Sequence, residues 1–154
     1  MRLKFVSPGP EREAYLPLLL LADPSEPRVR GYLQQGILYV GKHDGEEVGV
    51  VLAIPTELSR MELRAVAVAE PWQHQGVGKR MVEAVVRDLN GRGYTRVTVG
   101  TGNSSIDQIA FYQKVGFRMW KIERDHFTPQ NGYPEEMEEN GIHLRDMIWF
   151  ERTT

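Results

Sequence analysis

Gln73-His74-Gln75-Gly76-Val77-Gly78-Lys79 stands between an apolar run, Met61 to Ala69, and a stretch in which Val77, Met81, Val85 and Leu89 recur every four residues with Val82 beside them. The first neighbour reads as a strand buried on both faces, the second as an amphipathic helix. A strand that passes through a glycine loop into a helix brings unpaired helix N–H groups and the positive end of the helix dipole to the loop. Gly76 and Gly78, lacking Cβ atoms, let main-chain amides approach a bulky anion closely. The segment therefore reads as a pyrophosphate cradle, with close helix packing as the other use of two glycines. It is neither the P-loop pattern nor the three-glycine dinucleotide fingerprint.

Working outward, Leu3 and Phe5 mark a strand closed by Ser7-Pro8-Gly9-Pro10. Glu11 to Ala22 favours one helix, and Asp23-Pro24-Ser25-Glu26-Pro27 stops it and can cap a second short helix running to about Gln35. Ile37 to Val40 and Val48 to Ile54, joined through His43-Asp44-Gly45-Glu46, predict a hairpin. Gly91 and Gly93 end the helix that follows the glycine loop. Beyond it, Tyr94 to Gly100 predicts a strand, Ser104 to Val115 a helix, and Phe117 to Ile122 and Ile142 to Phe150 two final strands. This order describes a mixed α/β (α+β) fold in a single domain over residues 1–154.

A chain of 154 residues with 41% apolar and 26% charged residues is large enough to bury a real core and is not compositionally disordered. The formal charge of -2 gives no general basic footprint for nucleic acid. The absence of cysteine excludes disulfides, thiolate metal sites and thiol nucleophiles. His43, His126 and His143 lack close metal-ligand spacing, so no metal is expected. The apolar run Leu16 to Ala22 is far shorter than the roughly 20 residues a bilayer requires. It reads as a core helix. With no secretory pattern in Met1 to Pro10, a cytoplasmic protein without membrane attachment is expected.

Gln73-x-x-Gly76-x-Gly78 matches the Q/R-x-x-G-x-G/A loop of the GNAT family of N-acetyltransferases, and Val66-Ala67-Val68-Ala69-Glu70-Pro71 resembles that family's fourth strand. Ala110-Phe111-Tyr112-Gln113-Lys114-Val115-Gly116-Phe117 resembles the helix and turn found in the family near the coenzyme A thiol. The resemblance follows the strand order along nearly the whole chain and is sharpest from Met61 to Phe117. It implies a splayed central sheet of about seven strands flanked by about four helices, with acetyl-CoA as cosubstrate. In that arrangement Val66 and Val68 run beside the pantetheine arm, while Gln73, His74, Gln75, Gly76, Val77, Gly78 and Lys79 hold the pyrophosphate. Family members often carry asparagine seven residues before the tyrosine. Here that position is Ser105, with Asn103 two residues earlier. Either can contact pantetheine, and Asn103 with Ser104 can instead cap the helix.

Acetyl transfer to an amine needs a neutral nucleophile, stabilisation of a developing oxyanion and a proton for the departing thiolate. By the resemblance Glu62 aligns with a general base, Tyr112 with the proton donor, and the main-chain N–H of Val68 or its neighbour with the oxyanion donor. Read as residues alone, Glu62 is equally a salt-bridge partner of Arg60 or Arg64, and Tyr112 a packing residue. The acceptor is expected between the first two helices and the loop joining the last strands. There Asp125 and Glu135-Glu136-Met137-Glu138-Glu139 can attract a cationic amine or form a solvated helix face. The expected activity is transfer from acetyl-CoA to a primary amine of a small molecule or peptide. The rival readings are a non-catalytic acyl-CoA sensor and a protein-interaction domain. The apolar final strand, Ile142 to Phe150, can complete a dimer or pair within the chain, and the resemblance implies a homodimer.

Overall fold

The computed structural model describes residues 1–154, which group into two compact units, Met1–Thr95 with Thr154, and Arg96–Thr153. Seven principal strands, a two-residue hairpin and four α-helices make up the mixed α/β fold.

In the first unit β1 (Arg2–Val6) leads through a 3-10 turn at Pro10–Tyr15 into α1 (Leu16–Ala22) and α2 (Glu26–Tyr32). Then follow β2 (Ile37–His43), β3 (Glu46–Glu57), β4 (Arg60–Val68) and α3 (Val77–Gly91), each strand antiparallel to the one before it. The hairpin expected at Asp44-Gly45 forms, both residues taking positive φ as a tight two-residue turn requires.

The single helix expected from Glu11 to Ala22 is instead broken at Tyr15, because Pro17 has no N–H and its ring excludes the carbonyl four residues back. The second helix also stops short of Gln35, ending at Tyr32. Its start is capped by Ser25, which accepts from the Arg28 amide at 3.4 Å.

One face of this sheet packs on the two short helices: Leu19, Val29, Tyr32 and Leu33 meet Leu38, Val40, Val50, Leu52, Ala65 and Ala67. Arg12, 1% exposed, closes the end of this core. Its guanidinium donates to the carbonyls of Val6, Leu33, Gln35 and Gly36 at 2.6 to 3.0 Å. Val77, Met81, Val82, Val85, Val86 and Leu89 form the buried stripe of α3, as their spacing predicts. Gly49 must lack a side chain there, since a Cβ would lie 2.5 Å from the Ala67 carbonyl oxygen with Met81 just beyond. Tyr39 on β2 fixes α3 by donating to Asp88 at 2.7 Å.

The second unit contains β5 (Arg96–Gly102), α4 (Ile106–Lys114), β6 (Arg118–Glu123), the hairpin strands β7 (Glu138–Glu139) and β8 (Ile142–His143), and β9 (Met147–Thr153). β9 is antiparallel to β5 on one side and to β6 on the other. Tyr112, Val115 and Phe117 pack with Phe150 and Val97 in its interior.

The last strand therefore begins at Met147, not Ile142. Asn103 sets this limit: its Oδ1 accepts from the amides of Arg145 and Asp146, and its Nδ2 donates to the His143 carbonyl, so the chain bends there before it can pair with β5. The acidic run 135–139 is correspondingly no helix face. It enters the β7–β8 hairpin, with Glu138 opposite His143.

Candidate active site

In the first unit the site is built where β4 gives way to α3. The Ala69 amide donates to Val48 at 2.8 Å, and a 3-10 turn at Glu70–Trp72 lifts the chain off the sheet. Two side chains brace the loop: Gln73 Nε2 donates to the Val68 carbonyl at 2.9 Å and Gln75 Nε2 to that of Pro71 at 2.8 Å. His74 and Gly76 then take left-handed backbone angles, φ 63 and φ 77, turning the chain sharply into the helix.

Gly76 is the N-cap of α3, and no side chain caps it. The first intrahelical bond runs from Arg80 N to Gly76 O, so the amides of Val77, Gly78 and Lys79 have no helical partner. The first turn carries no acidic residue, whereas Lys79 and Arg80 are exposed there. Cations at a helix N-terminus oppose the macrodipole, and a bound anion reverses that sign. Residues 73–76 are exposed and Val77 is buried, so Val77 can contribute only its main chain. The arrangement fits a diphosphate.

On β4, Arg64 is an extra residue in the ladder with β3: Ala53 faces Leu63 while Leu52 faces Ala65. Such a bulge bends the strand locally and re-aims side chains. Val66 and Val68 beyond it are half-buried. Glu62 pairs with Arg64 through both carboxylate oxygens, at 2.7 and 3.1 Å. The Arg64 guanidinium also lies over the Tyr32 ring, and the Tyr32 hydroxyl donates to Asp23 at 3.5 Å, which in turn pairs with Arg28. A polar chain thus runs from β4 to α2. Of the oxyanion donors considered, Ala69 N–H is already engaged by Val48.

In the second unit Tyr112 is 4% exposed, with its ring against Phe111, Phe117 and Phe150. Its hydroxyl makes no hydrogen bond to the rest of the chain, and burial pushes the phenol well above its ordinary pKa. The group stays protonated and can donate.

Asn103 is fully engaged by residues 143–146. Ser105 Oγ donates to Glu139 Oε1 at 2.8 Å. Neither side chain caps α4, whose N-cap Ser105 makes no capping bond, so the capping role considered for Asn103 and Ser104 is not realised. Ser104 Oγ is buried without a partner. Sequence reading also missed a relay in this unit. Glu123 Oε2 lies 2.8 Å from His126 Nδ1, and His126 Nε2 lies 3.4 Å from the Tyr133 hydroxyl. A Glu-x-x-His spacing was its only local trace.

Known proteins share this layout. The sequence profile of the acetyltransferase (GNAT) family matches residues 10–117. The uncharacterised N-acetyltransferase YvbK of Bacillus subtilis is 40% identical over 131 residues, 85% of this chain and 83% of that protein. A GNAT family acetyltransferase from Elizabethkingia anophelis, solved with acetyl-CoA bound, superposes with a TM-score of 0.85 at 35% identity, covering 99% of this chain and 97% of that one. A Bacillus subtilis acetyltransferase in complex with CoA gives 0.88 at 35% identity over 99% and 98% of the two chains. The glycine loop between β4 and α3 falls inside the matched residues, and a match of this extent means that the chain belongs to the acetyltransferase (GNAT) family.

Proposed function

We propose that this protein transfers the acetyl group of acetyl-CoA directly to a primary amine of a small molecule or peptide. The observation that carries the reading is the start of α3, where a left-handed Gly76, an uncapped set of amides and two exposed cations coincide. Family membership and the N-acetyltransferase name of the Bacillus subtilis relative support it.

Acetyl-CoA supplies an activated thioester. The amides of Val77, Gly78 and Lys79, with the charges of Lys79 and Arg80, hold its diphosphate. Gln73 and Gln75 shape that loop through their bonds to β4 and to the turn. Val66 and Val68 offer main-chain groups to the arm, and the Val68 N–H stabilises the oxyanion. The amine nitrogen bonds to the acetyl carbon as the carbon–sulfur bond breaks. Tyr112 gives its hydroxyl proton to the departing sulfur, and the proton that the attacking nitrogen releases as the amide forms restores the phenol. Glu62, held by Arg64, accepts from the acceptor ammonium through its remaining lone pairs, and water carries the proton away. The products are an acetamide and free coenzyme A.

A second reading, a non-catalytic acyl-CoA sensor, draws on one fact: both Glu62 oxygens are already engaged by Arg64. A panel of amines with acetyl-CoA, followed by release of free thiol and by calorimetry with coenzyme A, separates the two. Binding with no acceptor turning over faster than hydrolysis favours the sensor. No binding at all removes both and leaves a protein-interaction domain.

A further inference from the structure

Four ionised side chains gather in the first unit where β4 passes α2: Glu62 and Arg64 on β4, Asp23 between α1 and α2, and Arg28 within α2. Asp23 Oδ1 accepts from Arg28 Nη1 and from the Ser25 amide, both at 3.1 Å, and its Oδ2 from the Tyr32 hydroxyl at 3.5 Å. Tyr32, 5% exposed, is thereby fixed, and the Arg64 guanidinium stands over its ring at 5.5 Å. Two carboxylates and two guanidiniums balance, so these four groups carry no net charge between them. A corner so composed has no field to draw in a polycation.

Arg64 is the extra residue of the β4 bulge, and a bulge re-aims the side chain it carries. It is the more exposed member of its pair: 38% of the Arg64 side chain reaches solvent, against 12% for Glu62. Glu62 takes one hydrogen from Nε and one from Nη2. A guanidinium has five donors in a planar fork, and each edge of that fork matches a carboxylate.

An ammonium held at Glu62 stands within two hydrogen-bond lengths of Arg64, because Arg64 is itself 2.7 Å from the same carboxylate. For a plain amine this nearness is repulsive, and in a half-buried corner the repulsion is only partly screened. An acceptor that carries a carboxylate beside its ammonium reverses the sign. Bonds of about 1.5 Å from nitrogen to Cα and from Cα to the carboxyl carbon keep the two charges of an α-amino acid about 3 Å apart. Glu62 and Arg64 hold their own opposite charges 2.7 to 3.1 Å apart. The two pairs match in spacing, so each charge of the acceptor meets its opposite.

We propose that the acceptor is a free α-amino acid, with its ammonium on Glu62 and its carboxylate on Arg64. This rests on the acetyl transfer proposed above and narrows its acceptor. The acetyl carbon bonds to the α-nitrogen as its bond to sulfur breaks, and the products are an N-acetylamino acid and free coenzyme A. Polyamines and aminoglycosides bring ammonium groups without a carboxylate, and a peptide amino terminus brings an amide in its place. Arg64 selects against all of them by repulsion as well as by the missing partner.

The test offers the proteinogenic L-amino acids that have a primary amine, each beside its carboxamide and its decarboxylated amine, with acetyl-CoA and thiol release as readout. The best acceptor should be a free amino acid, with kcat/KM at least about tenfold above its own amide and amine. Arg64→Gln should abolish that ratio by raising KM for the acid alone, and Arg64→Lys, which keeps the charge and loses the fork, should fall between. The ratio is read within one protein, so a general loss of stability does not move it, and the wild-type ratio decides even where a variant fails to fold. An amide or amine that matches its parent acid, or a ratio retained in Arg64→Gln, overturns the proposal while amine acetylation stands. Absence of turnover with every acceptor overturns both.

Discussion

Glu62 and Arg64, two residues apart on β4, hold each other through two hydrogen bonds, Arg64 Nε to Glu62 Oε2 at 2.7 Å and Nη2 to Oε1 at 3.1 Å. A carboxylate so placed retains lone pairs for one further donor but is not free to swing. Glu62→Gln should therefore lower kcat/KM for the amine by about 10- to 100-fold, the loss of a charged hydrogen bond, while leaving the KM for acetyl-CoA unchanged. Unchanged amine kinetics across the pH range would reduce the pair to a brace for the bulge.

Tyr112→Phe keeps the ring that packs on Phe117 and Phe150 and removes only the unpartnered hydroxyl. The expected outcome is a kcat reduced by about 10²-fold with coenzyme A affinity retained by calorimetry. A normal kcat would assign the residue to packing.

Lys79 and Arg80 have opposite effects on the free and bound protein. Replacing either with alanine should stabilise the free chain by about 0.3–1 kcal/mol, because a cation is removed from a helix N-terminus. The same change should weaken coenzyme A binding by about tenfold and flatten its salt dependence. In the wild type, coenzyme A at about 100 times its dissociation constant adds about 2.7 kcal/mol, raising Tm by roughly 5–10 °C. Thermal scans with and without ligand check both signs, and two effects of the same sign would contradict an anion cradle.

Gly76→Ala isolates the backbone. An added Cβ meets nothing within 4 Å, so the cost comes from the left-handed φ of 77 alone, about 1 kcal/mol in chemical denaturation. A loss several times larger would mean that the turn is held by contacts beyond its own dihedral.

What was legible in the sequence was local. Asp44-Gly45 specifies its hairpin by its own dihedrals, and the glycine loop is recognisable because Gly76 and the α3 stripe lie within one helical length. The break at Tyr15 was also written locally, in Pro17. The Arg64 bulge depends on a partner strand and leaves no mark in β4's alternation. Arg12 finds its four carbonyls between 6 and 24 residues away, and Asn103 finds its partners about 40 away. No window of sequence holds both ends of such bonds. Among the site residues, the loop was readable, whereas the bracing roles of Gln73 and Gln75 and the engagement of Asn103 and Ser105 required coordinates.

Acid should loosen the loop after β6. The Glu123 carboxyl is held below its ordinary pKa by its hydrogen bond with His126 and further by Trp149 Nε1. A depressed carboxyl contributes stability above its unfolded pKa and loses it as pH falls through the folded value, here below about pH 4. Protease cleavage within residues 124–146 should accordingly rise in that range, and Glu123→Gln should show the faster cleavage already at neutral pH. A pH-independent cleavage pattern in the wild type would contradict this.

Arg12 grips four oxygen atoms of the main chain, those of Val6, Leu33, Gln35 and Gly36, with its guanidinium. The backbone of residues 33–36 is thereby held independently of the exposed side chain of Gln35, provided Leu33 stays in the core and Gly36 keeps its room beneath the Ala53 carbonyl. Such a scaffold lets evolution, or a mutagenesis library, exchange the exposed Gln35 for new recognition while the underlying architecture survives.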